Sequence, residues 1–93
     1  MSHNYFVYKL TNYKKTVLYT GVTNDLRRRL NEHKGNIHSD SFTSKYKCYY
    51  LIYGERHQMI ECAIEREKEI KGWTRVKKEQ LINKFNSEWK FFE

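Results

Sequence analysis

Two runs rich in β-branched and aromatic residues, YFVYKL (Tyr5–Leu10) and VLYTGV (Val17–Val22), flank the polar stretch TNYKK. They read as a β-hairpin closed by a turn. Both runs are apolar at consecutive positions rather than at alternate ones, which predicts helices over at least part of the sheet. A helical segment follows. Thr23 or Asn24 is placed to cap it, Asp25 suits its positive N-terminal end, and Gly35 suits a left-handed terminating position. GNIHSDSFTSKYK (35–47) reads as a loop, and CYYLIY (Cys48–Tyr53) as a third strand ended by Gly54. Gln58–Lys71 has helical periodicity broken at GWT, Val76–Phe85 forms another helix, and NSEWKFFE closes the chain with aromatics expected to pack back on the body. The predicted order is β-β-α-β-α-α: an α+β fold with a small, three-stranded, mainly antiparallel sheet flanked by helices, in one domain spanning residues 1–93.

Ninety-three residues leave room for only a small core, since a chain of this size buries roughly 60–65% of its unfolded surface. Hydrophobic content of 39% and aromatic content of 16% nevertheless support a folded globule. No stretch approaches the roughly 18 apolar residues of a membrane span, and MSHNYFVYKL lacks the apolar centre of a signal peptide, so a cytoplasmic protein with no membrane partner is expected. Cys48 and Cys62 have no CxxC partner and read as free thiols. His3, His33, His38 and His57 lack the paired spacing of a zinc site. Charge then narrows the function. Eighteen basic against eleven acidic side chains give +7, a positive field that favours polyanions, nucleic acid above all.

Three adjacent arginines sit in the first helix, and a helical wheel separates them. At about 100° per residue from Leu26, Leu30 falls near 40°, His33 near −20° and Arg29 near −60°, whereas Arg27 and Arg28 fall near 100° and 200°. Only Arg29 stands beside the leucines that must face the sheet. It either lays its stem along the core edge with its head in water or serves a site. Arg28 is spaced to pair with Glu32. The second helix holds a similar oddity. Ile60, Ala63, Ile64 and Ile70 form an apolar stripe, yet the slot at i+7 is Glu67. A carboxylate there must lie at the rim, pair with a cation such as Lys71, or hold a metal.

These residues resemble the GIY-YIG nuclease superfamily, which includes homing endonucleases and the incision subunit of bacterial nucleotide-excision repair. The likeness is greatest to its small, single-domain bacterial members. FVY (Phe6–Tyr8), YTG (Tyr19–Gly21), Arg29, His33, FTSKY (Phe42–Tyr46), REKEIKGW (Arg66–Trp73) and NSEW (Asn86–Trp89) occur in the family's order over about residues 5–89. The first motif departs in carrying Phe6 for the glycine, and Val22 replaces the lysine that some branches place after the second-motif glycine.

The resemblance implies phosphodiester hydrolysis with one divalent cation, Mg²⁺ or Mn²⁺, held by Glu67. It assigns Tyr8 as base or water-positioning group, Tyr19 to the scissile phosphate, Arg29 to a phosphate oxygen, and His33 and Asn86 to the same site. The chemistry suits these types: a planar guanidinium meets the charge gathering on phosphoryl oxygens, and hard cations prefer carboxylate. Tyr8 would need a neighbouring cation to ionise, and Gly21 would let substrate approach the strand. Lys45 and Lys47, with Lys71, Trp73 and Arg75 of KGWTRVKK, would track phosphates. The expected partner is DNA, with RNA also open and specificity supplied by a protein partner if at all. Two other classes compete: a nucleic-acid-binding module of the same fold without turnover, and a protein-interaction adaptor using Phe91 and Phe92.

Overall fold

The first strand is the middle one. β1 (Tyr5–Thr11) pairs antiparallel with β2 (Leu18–Thr23) on one side and with β3 (Tyr50–His57) on the other. This is a computed structural model, and it describes residues 4–35 and 42–92. The hairpin turn is held by Asn12, whose side-chain oxygen accepts from the amides of Thr16 at 2.8 Å and Val17 at 3.1 Å. Among the described residues the helices are α1 (Leu26–Lys34), α2 (Phe42–Tyr46), α3 (Ile60–Lys71) and α4 (Arg75–Phe85), the expected order with one short helix, α2, added before β3.

Strand alternation divides the core between two faces. On one face Tyr8 and Leu10 pack with Leu30 of α1, Cys48 and Leu51, with Val17, Tyr19 and Leu26 beside them. On the other, Val7 packs with Ala63 and Ile70 of α3, and Ile52 and Tyr53 pack with Ile82 of α4. The apolar runs of the hairpin are thus covered from both sides, as a strand without alternation requires. Among the described residues no helix is long and apolar enough to cross a membrane.

Four local expectations change. The segment expected as a loop contains α2, a five-residue helix whose Thr43 is buried; residues 36–41 of that segment lie outside the described residues. Asp25, not Thr23 or Asn24, caps α1, its carboxylate accepting from the Arg28 amide at 3.1 Å. Gly35 ends that helix in the ordinary right-handed region, at φ −78°. Gly54 does not end β3, because the ladder to β1 continues through Gly54 opposite Tyr8 to His57 opposite Tyr5. That continuation is anchored from the side. The Glu55 carboxylate accepts from the Tyr53 hydroxyl and from Arg66 Nε at 3.1 Å, and lies 2.6 Å from His57 Nε2. Burial opposes its ionisation, yet those three hydrogen bonds hold it below the usual carboxylate range.

The closing segment packs back as expected. Trp89 turns the chain at φ 54°, Phe91 stacks on Tyr50 at 4.4 Å, and the Phe92 amide donates to Leu51 at 2.7 Å. One core position breaks the apolar rule. Lys9 is fully buried on the α4 side of the sheet, its amine donating to Thr20 at 2.6 Å.

Candidate active site

α1 lies across the sheet face that carries Tyr8, with Leu30 and His33 buried against it and Arg27 and Arg28 exposed. The wheel's answer holds. Arg29 leans toward the sheet and its Nε donates to the Tyr8 hydroxyl at 3.3 Å. His33, one turn on, places Nε2 3.1 Å from the same hydroxyl, and its Nδ1 lies 2.8 Å from the Thr43 hydroxyl of α2. The His33 tautomer sets the direction of this chain, and one assignment satisfies every contact. Arg29 donates to Tyr8, Tyr8 donates to His33, and His33 donates to Thr43. Tyr19 completes the group: its ring sits 5.6 Å from His33, stacks on Phe42 at 6.0 Å and lies 6.3 Å from the Tyr8 ring.

Gly21 makes this possible, though not by admitting substrate. It faces Tyr8 across the hairpin, and a Cβ built on it would lie 2.5 Å from the Tyr8 hydroxyl oxygen and 3.0 Å from the Tyr19 ring. The space above the glycine is filled by the phenol. Tyr8 is fully enclosed and cannot step aside. Gly21→Ala is therefore expected to lower stability by about 2–3 kcal/mol, read as a reduced urea midpoint with unchanged slope. A midpoint equal to wild type would show the ring to be free to move.

Burial also decides the charge state of Tyr8. Loss of water pushes its pKa up to about 12, and the hydrogen bond from Arg29 only partly opposes this. A cation is beside Tyr8, as ionisation requires, but it does not prevail. At neutral pH Tyr8 is a phenol that holds Arg29 and His33. The Arg29 guanidinium is raised in pKa, first by its bond to Tyr8. Its other partner is Glu32, at 3.2 Å from Nη1. Arg28 instead donates to Asn24 at 3.2 Å, so the expected Arg28–Glu32 pair belongs to Arg29.

Glu67 stands apart from this group. Val7 and Tyr8 point to opposite faces, so α3, packed on Val7, lies across the sheet from α1. Glu67 pairs with Lys71 at 3.4 Å, its side chain only 16% exposed, and makes no bond to Tyr8, Tyr19 or Arg29. The two faces communicate around β2. A cleft of about 360 Å³ is lined by Arg28, Arg29 and Glu32 of α1, by Val22 and Thr23, and by Ile60 and Ile64 of α3. Glu67 follows Ile64 by three residues, on the same helical face. Among the described residues no three acidic, histidine or cysteine side chains cluster as metal ligands. One sheltered carboxylate fits an oxygen-preferring ion that keeps several waters and shares the substrate's phosphate; it does not fit a closed zinc site.

The remaining expected contacts divide. Lys45 and Lys47 are exposed on and just after α2, which touches the cluster through Phe42 and Thr43. Trp73 packs into the Val7 cluster on the far face, with the Arg66 guanidinium and Lys77 ammonium over its ring at 5.2 and 4.5 Å. Arg75 stays exposed but is already engaged. It donates to the carbonyl oxygens of Thr16 at 2.9 Å and Lys15 at 3.3 Å and pairs with Glu79, tying α4 to the hairpin turn. Asn86, unlike Arg75, is withdrawn from the surface. It is buried, donating to Ile52 and Lys90 carbonyls at 3.1 and 2.8 Å and accepting from the Lys90 amide at 3.1 Å, which locks the closing turn. Both residue types bond backbone as readily as phosphate, and here the chain termini of neighbouring elements claim them. Sequence reasoning missed Thr43 and Glu32. FTSKY marked the segment, but nothing local showed that its threonine would sit under a histidine.

A small antiparallel sheet, with two phenols, a guanidinium and an imidazole converging on one face beside a cleft that carries two arginines, makes this an α+β domain with a polar cluster at its hairpin. Residues 4–87 match the GIY-YIG catalytic domain, and the chain belongs to that family, within the GIY-YIG nuclease superfamily. It is similar to a UPF0213 protein of Natronomonas pharaonis, at 35% identity over 88% of this chain and 94% of the relative. A UPF0213 protein of Syntrophus aciditrophicus is 37% identical over 88% of this chain and 92% of its own. A UPF0213 protein from Bacillus halodurans, solved in solution by NMR, shares the fold at TM-score 0.55 and 31% identity, over 86% of this chain and 83% of that one.

Proposed function

We propose that the protein is a divalent-metal-dependent endonuclease hydrolysing phosphodiester bonds in DNA. The observation that carries this reading is Arg29: held at one end by the buried Tyr8 hydroxyl, it keeps a fixed guanidinium at the wall of an open cleft. A fixed cation serves the charge that grows on phosphoryl oxygens during attack better than a mobile one, because it costs no reorganisation. Tyr8 and His33 set its position. Tyr19, half-buried beside both, is the phenol nearest solvent and takes the contact to substrate. Glu67 would hold the metal, Mg²⁺ or Mn²⁺, which supplies polarisation of a phosphoryl oxygen when bound. Lys45 and Lys47 extend the positive field along α2. The whole of residues 1–93 would act as this one unit, and a protein partner would add any sequence preference.

The test uses supercoiled plasmid and a branched DNA with Mg²⁺ or Mn²⁺, with Glu67→Gln beside wild type. Wild type is expected to cut and the variant to lose about 10²-fold or more. Equal amounts of intact DNA in both lanes, together with salt-dependent binding that survives the substitution, would replace the enzymatic reading by a binding module.

A further inference from the structure

The apolar stripe of α3 is used unevenly. Ala63 and Ile70 are fully buried against the sheet, whereas Ile60 and Ile64 remain 37% and 38% exposed. The open half of the stripe is the half that faces Arg29 across the cleft. The cavity therefore has two unlike walls: two guanidinium groups on α1 and aliphatic carbon on α3, with the half-buried Tyr5 ring and Val22 between them. Glu32 lies on the cationic wall and already neutralises part of it through Arg29, so charge alone does not define the occupant and the apolar wall must be matched as well. An intact duplex offers phosphates on its outside and keeps the faces of its bases stacked within, so it can engage only the cationic wall. A nucleotide out of the stack carries an anion and a flat apolar face on one small body. A cavity of about 360 Å³ lies within the size range of small-ligand sites, from roughly 300 Å³, and suits one such unit.

We propose that this cleft seats a single unstacked nucleotide, phosphate toward Arg29 and base or sugar against Ile60 and Ile64. The protein thereby selects strands with an unpaired nucleotide over continuous duplex. This rests on reading Arg29 as the phosphate contact.

Three fluorescein-labelled DNAs test it by anisotropy at fixed salt: a perfect duplex, the same duplex with one bulged nucleotide, and the single strand, with RNA versions of the first two to separate ribose from deoxyribose. The bulged ligand of at least one sugar type is expected to bind about 5–10-fold more tightly than its perfect duplex, the low end of base-stacking effects. Ile64→Asn is expected to bring bulge binding down to the duplex level, and Ile60→Asn repeats the test should the first variant melt early. Equal affinity of wild type for bulged and perfect duplex, in DNA and in RNA, overturns the inference, as does a preference that both substitutions leave intact. Binding needs no turnover. Failure to cut with either metal would count against the nuclease reading alone, while this preference would still be measurable.

Discussion

Replacing Arg29 by lysine is expected to lower the rate of phosphodiester cleavage by about 10²–10³-fold, the usual cost of removing one fixed donor from a developing oxyanion, while DNA affinity falls only a few-fold. The reason lies in how the side chain is spent. One edge of the guanidinium, through Nε, is bonded to Tyr8, and another nitrogen, Nη1, to Glu32. The planar fork can thus be anchored and still present donors to the cleft. A lysine has a single nitrogen on a flexible stem and cannot both rest on the phenol and meet a phosphate. Charge is retained, so long-range attraction and the salt slope of binding stay near wild type. Single-turnover cleavage of plasmid in Mg²⁺, beside a binding titration, separates the two effects. A variant within fivefold of the wild-type rate would show that net charge at position 29 is enough, and the anchored guanidinium would lose its catalytic meaning. Stability is not expected to confound the result, because the Arg29 side chain is 30% exposed and its partners keep each other: Tyr8 retains His33, and Glu32 remains in water.

How much of this was readable in the residues follows from which forces are local. The wheel separated Arg29 from its neighbours because helical angle depends only on sequence offset, and the hairpin and helices followed for the same reason. Glu67 was legible as an anomaly on the α3 stripe but not as a partner of the phenols, since strand alternation puts α3 on the other face of the sheet and only the cleft around β2 connects them. Gly21 was legible as a requirement for no side chain, and the wrong tenant was expected: whether a glycine yields space to substrate or to Tyr8 depends on a cross-strand register that spacing does not reveal. Arg75 and Asn86 show the same limit from the other side. Their types suit a phosphate, but the hairpin turn and β3 come within reach of them only in the folded chain. Phe91 and Phe92 illustrate it a third time. The segment docks through the stack on Tyr50 and the bridge to Leu51, which gives these rings a packing role and leaves the adaptor reading with Phe92 at 40% exposure as its remaining support.

Lys9→Met is expected to raise stability at pH 7 by about 2–4 kcal/mol, on the scale of about 1.4 kcal/mol per pKa unit, and to flatten its pH dependence above neutrality. Lys9 lies in the central strand with no exposed surface. Its amine has one acceptor, the Thr20 hydroxyl, and among the described residues no ion pair. Burial pushes its pKa down to about 7, and the like charges of Lys78 and Arg75, both on α4, push the same way. The unfolded chain titrates near the ordinary 10.5. Between these values the unfolded state holds a proton that the folded state has released, so unfolding takes up protons and stability rises with pH. Below about 7 both states are charged and the penalty is present in full; above 10.5 neither is and it vanishes. Methionine fills a similar volume without charge and escapes the penalty at every pH. Urea titrations at pH 7 and pH 9 decide the matter, taken as the difference between wild type and variant so that other titrating groups cancel. The advantage of Lys9→Met should shrink by about 1–2 kcal/mol over those two units. An advantage of the same size at both pH values would mean that the buried amine keeps its proton, held by more than the hydroxyl of Thr20.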